Sequence, residues 1–194
     1  MPPRPPGTWP PTDAPVTVTR YGDAVMARRK APRAVFERTP KGFVVNLQRE
    51  EIDLIVRLVG ELRNLLLAND PNTAAITRRL FPPAYHLADD ADADTEYQRL
   101  MRDELVASRL AAMQQVADTL HAAADGKSPL TEEAMHGLLQ SLNAVRLVLG
   151  TLLDVGEEHH PDDIRDDDPM VGEHHLYQFL SYLLEAAVEA VSRG

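Results

Sequence analysis

The sequence predicts a mainly α-helical protein: four long helices in a bundle, an N-terminal β-hairpin and a disordered proline-rich leader. Three observations carry that expectation. Apolar residues recur at spacings of three and four over long stretches, which places them on one face of a helix. Two short β-prone runs flank a proline–glycine turn. Seven of the fifteen prolines fall within the first fifteen residues. A chain of 194 residues suffices for one domain or two small ones. Aromatics make up 5%, so the core has to come from Leu, Val, Ile and Ala. Cysteine is absent. Within these residues that excludes a disulfide scaffold, a thiol nucleophile and a thiolate metal site.

Residues 1–32 form the expected leader and 33–194 a single helical domain. Proline fixes φ and donates no backbone hydrogen bond, so PPRPPGTWPPTDAP favours polyproline II or disorder. No apolar run with a small-residue cleavage site follows, so no secretory signal is expected. No stretch of eighteen apolar residues occurs, so no membrane span is expected. The expected location is the cytoplasm.

Ala34–Arg38 and Gly42–Leu47, joined by Thr39-Pro40-Lys41-Gly42, read as one hairpin. The first helix spans about Arg49–Leu67, with Ile52, Ile55, Val59, Leu62 and Leu66 on one face. A short helix is expected over Thr73–Leu80, followed by Phe81-Pro82-Pro83 and a polar connector, Asp89–Asp94. The second long helix spans about Thr95–Ala123, its stripe being Tyr97, Leu100, Met101, Leu105, Met113, Val116 and Leu120. Ser128-Pro129 offers an N-cap and a first-turn proline, predicting a third helix over Pro129–Asp154. Leu138, Leu142, Val145, Leu149 and Leu152 form a coiled-coil-like seam on it. Leu139, Leu147, Val148 and Leu153 make its other side apolar as well, so this helix is the central one. The seam is satisfied within the monomer or across a homodimer. Gly156 is the expected residue past its C-terminus. An acidic loop then leads to a last helix over about His174–Ser192.

Charge is uneven. Residues 1–49 carry a net +6 and residues 50–194 a net −16. Nucleic-acid affinity comes from clustered Lys and Arg that release counterions, so an acidic body argues against it. Arg28, Arg29, Lys30 and Arg33 are the one basic cluster able to contact phosphates. Gly126-Lys127-Ser128 resembles the end of a P-loop, but His121 stands where the first glycine belongs and a helix precedes it. It reads as an inter-helix turn. His159, His160, His174 and His175 flank the acidic loop and are the candidate metal ligands. None has the spacing that sets two imidazoles on one helical face. A solvated loop is the simpler reading, and no metal or other cofactor is expected. No Gly-x-Ser-x-Gly elbow accompanies the five serines, so nucleophilic catalysis finds no support. The expectation is a protein that is not an enzyme.

Three motifs occur in order: Arg79-Leu80-Phe81-Pro82-Pro83-Ala84-Tyr85; Glu96-Tyr97-x-x-Leu100 with Leu105-x-x-x-Arg109; and Leu138-Leu139-x-x-Leu142-Asn143-x-x-Arg146-Leu147-x-Leu149-Gly150. In these the chain resembles an actinobacterial family called domain of unknown function two thousand and seventeen, over roughly residues 33–192. The resemblance implies a cytoplasmic actinobacterial protein. Members are encoded near the ClpS protease adaptor, and some are labelled transcriptional regulators. Some are considered redox-responsive through a cysteine pair. This chain has none, so a thiol switch here needs a partner that carries the thiols. Gly137 and Ala144 stand where the family pattern has a tryptophan and an acidic residue.

Arg79, Phe81, Pro82, Pro83, Tyr85, Asn143 and Arg146 are therefore the candidate interaction or motif residues. Phe81-Pro82-Pro83 reads as a rigid connector that wedges its ring into the bundle. Asn143 and Arg146, three residues apart, meet on one helix surface and orient the connector or the Asp89–Asp94 segment, or contact a partner. The expected function is a regulatory or adaptor protein working through protein contacts. The alternatives are a DNA-binding regulator using the basic arm and a metal-binding protein using the histidine pairs.

Overall fold

Strands β1 (Phe36–Thr39) and β2 (Gly42–Val45) pair antiparallel, with Phe36 opposite Val45 and Thr39 opposite Gly42. The computed structural model describes residues 33–68, 70, 73–82, 91–125, 128–156 and 168–193; for 91–95, 98 and 99 it describes the backbone alone. The expected leader lies outside the described residues. Phe36, Phe43 and Val45 share the buried face of the hairpin, as the two-residue period requires. A two-stranded hairpin is marginal alone. Here Leu130 braces it, exchanging two 2.8 Å backbone hydrogen bonds with Phe43 on the side of β2 away from β1.

Helix α1 (Arg49–Ala68) buries Ile52, Ile55, Leu58, Val59 and Leu62. Glu51 accepts a 2.8 Å hydrogen bond from the Gln48 N–H, half of a capping box. A single turn, α2 (Ala74–Thr77), runs into a 3-10 turn, Arg78–Leu80. Helix α3 is Ala91–Ala124, α4 is Glu132–Leu152 and α5 is Val171–Ser192. The fold is thus mainly helical with one hairpin, and α4 is its centre, touching α1, α2, α3, α5 and β2. Leu138, Leu142, Val145 and Leu149 of the seam are buried within the single chain. No helix among the described residues is long and apolar enough to cross a membrane.

Several boundaries differ from expectation, each for a physical reason. Helix α3 begins at Ala91, so the segment read as a polar connector contributes its last residues to a first turn, where acidic residue types suit the macrodipole. With 34 residues α3 is roughly 20 Å longer than α1, α4 or α5. Its N-terminal half outruns its neighbours: Leu100 is 60% exposed, whereas Met113, Val116 and Leu120 are buried. Helix α4 starts at Glu132, three residues beyond Pro129, because the bridge to Phe43 holds Leu130 extended. Its N-cap is Thr131, not Ser128, with the Thr131 hydroxyl accepting from the Ala134 N–H at 3.1 Å. At its other end Asp154, not Gly156, takes the left-handed position, with φ 51°. The Val155 N–H then reaches the Gly150 carbonyl at 2.9 Å, a Schellman closure. Asp tolerates that conformation through its short polar side chain.

The Thr131 cap gives a direct check. Thr131→Ala should cost about 1 kcal/mol, a fall in Tm of about 2–4 °C for a domain of this size. Thr131→Ser should restore it. An unchanged melting curve for the alanine variant would show that the cap contributes nothing.

Candidate functional site

The motifs that are far apart in sequence converge at the C-terminal end of α4. Arg79, on the 3-10 turn, donates to the Val155 carbonyl at 3.0 Å. It thereby ties the connector to the Schellman closure of α4. Gly150 makes room for this. A Cβ there would sit 2.9 Å from the Tyr177 ring of α5 and 3.4 Å from an Arg79 guanidinium nitrogen. Any side chain at 150 would push one of them away.

Phe81 is buried at the end of the 3-10 turn. The Arg102 guanidinium lies 4.5 Å from its ring centroid and the Arg109 guanidinium 5.7 Å. These two arginines are seven residues apart on α3, two turns along one face. Arg109 also donates to the Leu80 carbonyl at 2.8 Å. Burial pushes the Arg109 pKa below its ordinary value, because the charged form loses hydration. Cation–π attraction is stronger when the cation is partly desolvated. The arrangement is a clamp: two guanidiniums fix one aromatic ring and one carbonyl, and so fix where the chain leaves α2.

Asn143 and Arg146 do meet, with Arg146 donating to Asn143 Oδ1 at 3.3 Å. Arg146 does not turn to the connector, however. It donates to the Tyr177 hydroxyl at 3.1 Å and lies 5.7 Å from that ring. The connector is held instead by Arg79, Arg102 and Arg109. Pro82 is exposed, while Pro83 and Tyr85 lie outside the described residues. The signal for Arg102 and Arg109 is their seven-residue spacing beside an expected buried aromatic. Tyr177 has no comparable signal.

The remaining candidates are not brought together. Arg33 is exposed, and Arg28, Arg29 and Lys30 lie outside the described residues. His174 is buried in the first turn of α5 and His175 is exposed; His159 and His160 lie outside the described residues. Among the described residues no three His, Asp or Glu side chains are grouped to hold a metal ion. Gly126 and Lys127 also fall outside, while α3 and α4 flank them as the inter-helix reading requires.

Two grooves flank α5. One, of about 570 Å³, runs between it and β1, with Phe36, Glu37 and Arg38 facing Tyr182, Glu185 and Glu189. Phe43 spends its backbone groups on Leu130, so the Arg38–Phe43 pair of the ladder exchanges none. By the same alternation the N–H and C=O of Phe36 and Arg38 point away from β2. Among the described residues no backbone partner meets them there. The second groove, of about 930 Å³, lies between α4 and α5 and is lined by Leu139, Asn143, Arg146, Leu184, Glu185 and Val188.

The oxidative stress regulator AosR of Mycobacterium tuberculosis (strain ATCC 25618 / H37Rv) is 28% identical over 123 residues, covering 57% of this chain and 55% of that protein. The protein of the same name from Mycobacterium bovis matches to the same extent. An AosR relative from Mycobacterium leprae is 30% identical over 113 residues, 58% of this chain and 50% of its own. The chain therefore spans about half the length of the curated relatives it matches. No solved structure matches it. The two motifs that meet at Gly150 and the model match over residues 29–191 agree: the chain belongs to the family described as Domain of unknown function (DUF2017).

Proposed function

We propose that this protein is a non-enzymatic regulator of the oxidative-stress type, acting by binding another protein rather than by chemistry of its own. The observation that carries this is the open edge of β1 beside α5. An extended segment can add to such an edge through main-chain hydrogen bonds, with side-chain pockets supplying selectivity. Four residues make a short edge, so the α5 wall has to supply part of the affinity. Tyr182, 56% exposed, is the aromatic on that wall. The relatives named oxidative stress regulators support the regulatory half of the reading. The lack of cysteine is consistent with the other half, since a thiol-based redox signal could reach these residues only through a partner's thiols.

A non-catalytic role is supported by the make-up of the grooves. Ser181, which lines the α4–α5 groove, donates its hydroxyl to the Tyr177 carbonyl rather than to a base. Arginines of the motif junction are engaged with carbonyls and rings, as a scaffold requires.

The test is affinity capture from the native lysate with the 194-residue chain, followed by identification of the bound protein and titration of that purified partner. Tyr182→Asp should weaken the interaction at least about tenfold, the loss of one aromatic anchor, and leave Tm unchanged. Retention of full affinity would remove the β1–α5 groove from the account. Duplex DNA at physiological salt should not bind. Sub-micromolar, sequence-selective binding with a steep salt slope would favour the DNA-binding alternative instead.

A further inference from the structure

The α4–α5 groove carries charges that the described residues leave unanswered. Among the described residues Arg146 has no carboxylate partner: its contacts are Tyr177 and Asn143, and its Nε is buried without a hydrogen bond. Glu185 has no cationic partner there either, whereas Glu189 beside it is bound to Arg193. Both unanswered charges line the same groove. Arg146 sits against Tyr177, and Glu185 is eight residues further along α5, about 12 Å. Leu139, Leu184 and Val188, the last 52% exposed, cluster at the Glu185 end, and Asn143 and Ser181 lie midway.

We infer that this groove is closed by the same groove of a second copy, in a two-fold dimer. In an isologous interface residue i meets j and j meets i. A two-fold axis through the middle of the groove brings the Arg146 end of one copy to the Glu185 end of the other, twice. Asn143 and Ser181 then lie nearest the axis, while Leu139, Leu184 and Val188 of one copy pack beside the Arg146–Tyr177 end of the other. A parallel arrangement would set Arg146 against Arg146 and Glu185 against Glu185, which costs free energy. The layout is self-complementary in one orientation only. That is the argument for a second copy over an unrelated helix: the groove supplies both the charge and its counter-charge, in the spacing a two-fold needs. This assignment does not rest on the β1–α5 reading: Glu185 borders both grooves, but Arg146 and Val188 border this one and not the other, so their variants keep the two readings apart.

The experiment uses the purified full chain alone, so the regulatory reading cannot decide its outcome. Sedimentation equilibrium over about 1–100 μM, a range that brackets a micromolar Kd, should give a reversible monomer–dimer equilibrium. Glu185→Arg should raise the dimer Kd at least about tenfold, since it turns two attractive pairs into repulsive ones. Arg146→Glu alone should do the same. The double variant Glu185→Arg/Arg146→Glu should recover affinity to within a few fold, because the pairs are restored with signs exchanged. Val188→Asp, at an exposed position that leaves folding intact, should also dissociate the dimer. A chain that stays monomeric at the highest concentration overturns the assignment. So does a dimer that ignores Val188→Asp, or one that the double variant fails to rescue while each variant melts like the parent.

Discussion

Gly42→Ala is expected to cost roughly 3–5 kcal/mol, the sum of a strained backbone and a steric clash. Gly42 has φ +120°, a region that side-chain-bearing residues rarely enter. A Cβ there would lie 2.2 Å from the Leu130 carbonyl oxygen. Neither side can yield cheaply. The Leu130 carbonyl is fixed by its bond to the Phe43 N–H, and Thr39 at the other side of the turn donates its hydroxyl to the Gly42 carbonyl at 2.8 Å. The variant should therefore separate the hairpin from the α3–α4 junction and lower Tm by about 10 °C or more. Thermal and urea unfolding followed by circular dichroism measure it. Gly60→Ala is the matched control. Its Cβ would meet nothing within 4 Å on α1, so it should stabilise by about 0.5–1 kcal/mol through helix propensity. A loss below 1 kcal/mol at Gly42 would mean that the bridge to Leu130 is not held in solution.

Phe81→Ala should have a comparable effect, about 3–5 kcal/mol for a buried aromatic. Burial is only part of it. The ring also gives Arg102 and Arg109 their apolar partner, and without it the half-buried Arg109 would face a cavity. Phe81→Leu separates the contributions, because it keeps much of the volume and removes the ring face. It should lose about 1–2 kcal/mol, the range expected for cation–π contact with a desolvated arginine plus imperfect repacking. A double-mutant cycle with Arg102→Met should then give a coupling of about 0.5–1 kcal/mol. No coupling, with Phe81→Leu as stable as the parent, would reduce Phe81 to a plain core residue.

The helices were legible in the sequence because they are written in spacing. Ile52, Ile55, Val59 and Leu62 repeat at the helical period and are all buried, and the doubly apolar Leu138–Leu153 stretch is the central helix. What was not legible depends on contacts between segments distant in sequence. Ser128-Pro129 has good local capping chemistry, yet the cap moved to Thr131 because Leu130 is claimed by Phe43. Leu100 fits the helical stripe but is 60% exposed, because that half of α3 extends past the other described helices. The candidate site was half legible. Asn143 and Arg146 meet as their spacing requires, but periodicity on one helix cannot say which second helix Arg146 will reach. It reaches Tyr177, and the connector is left to arginines on α3.

The hairpin's supports are widely spread along the chain, and that has a consequence for biosynthesis. Arg38 donates to the Val191 carbonyl, 153 residues away, and pairs with Glu132 of α4. At the usual rate of synthesis, about 5–20 residues per second, Val191 follows Arg38 by roughly 8–30 s. During that interval the nascent hairpin has Phe36 and Phe43 on one face and no completed layer to cover them. Helix α1 can form meanwhile from local contacts alone, but Leu130 and then α5 must leave the ribosome before the strands are locked. Of the described elements the earliest made is thus the last to be finished, and a nascent chain stalled between α4 and α5 still presents the apolar face of the hairpin to chaperones.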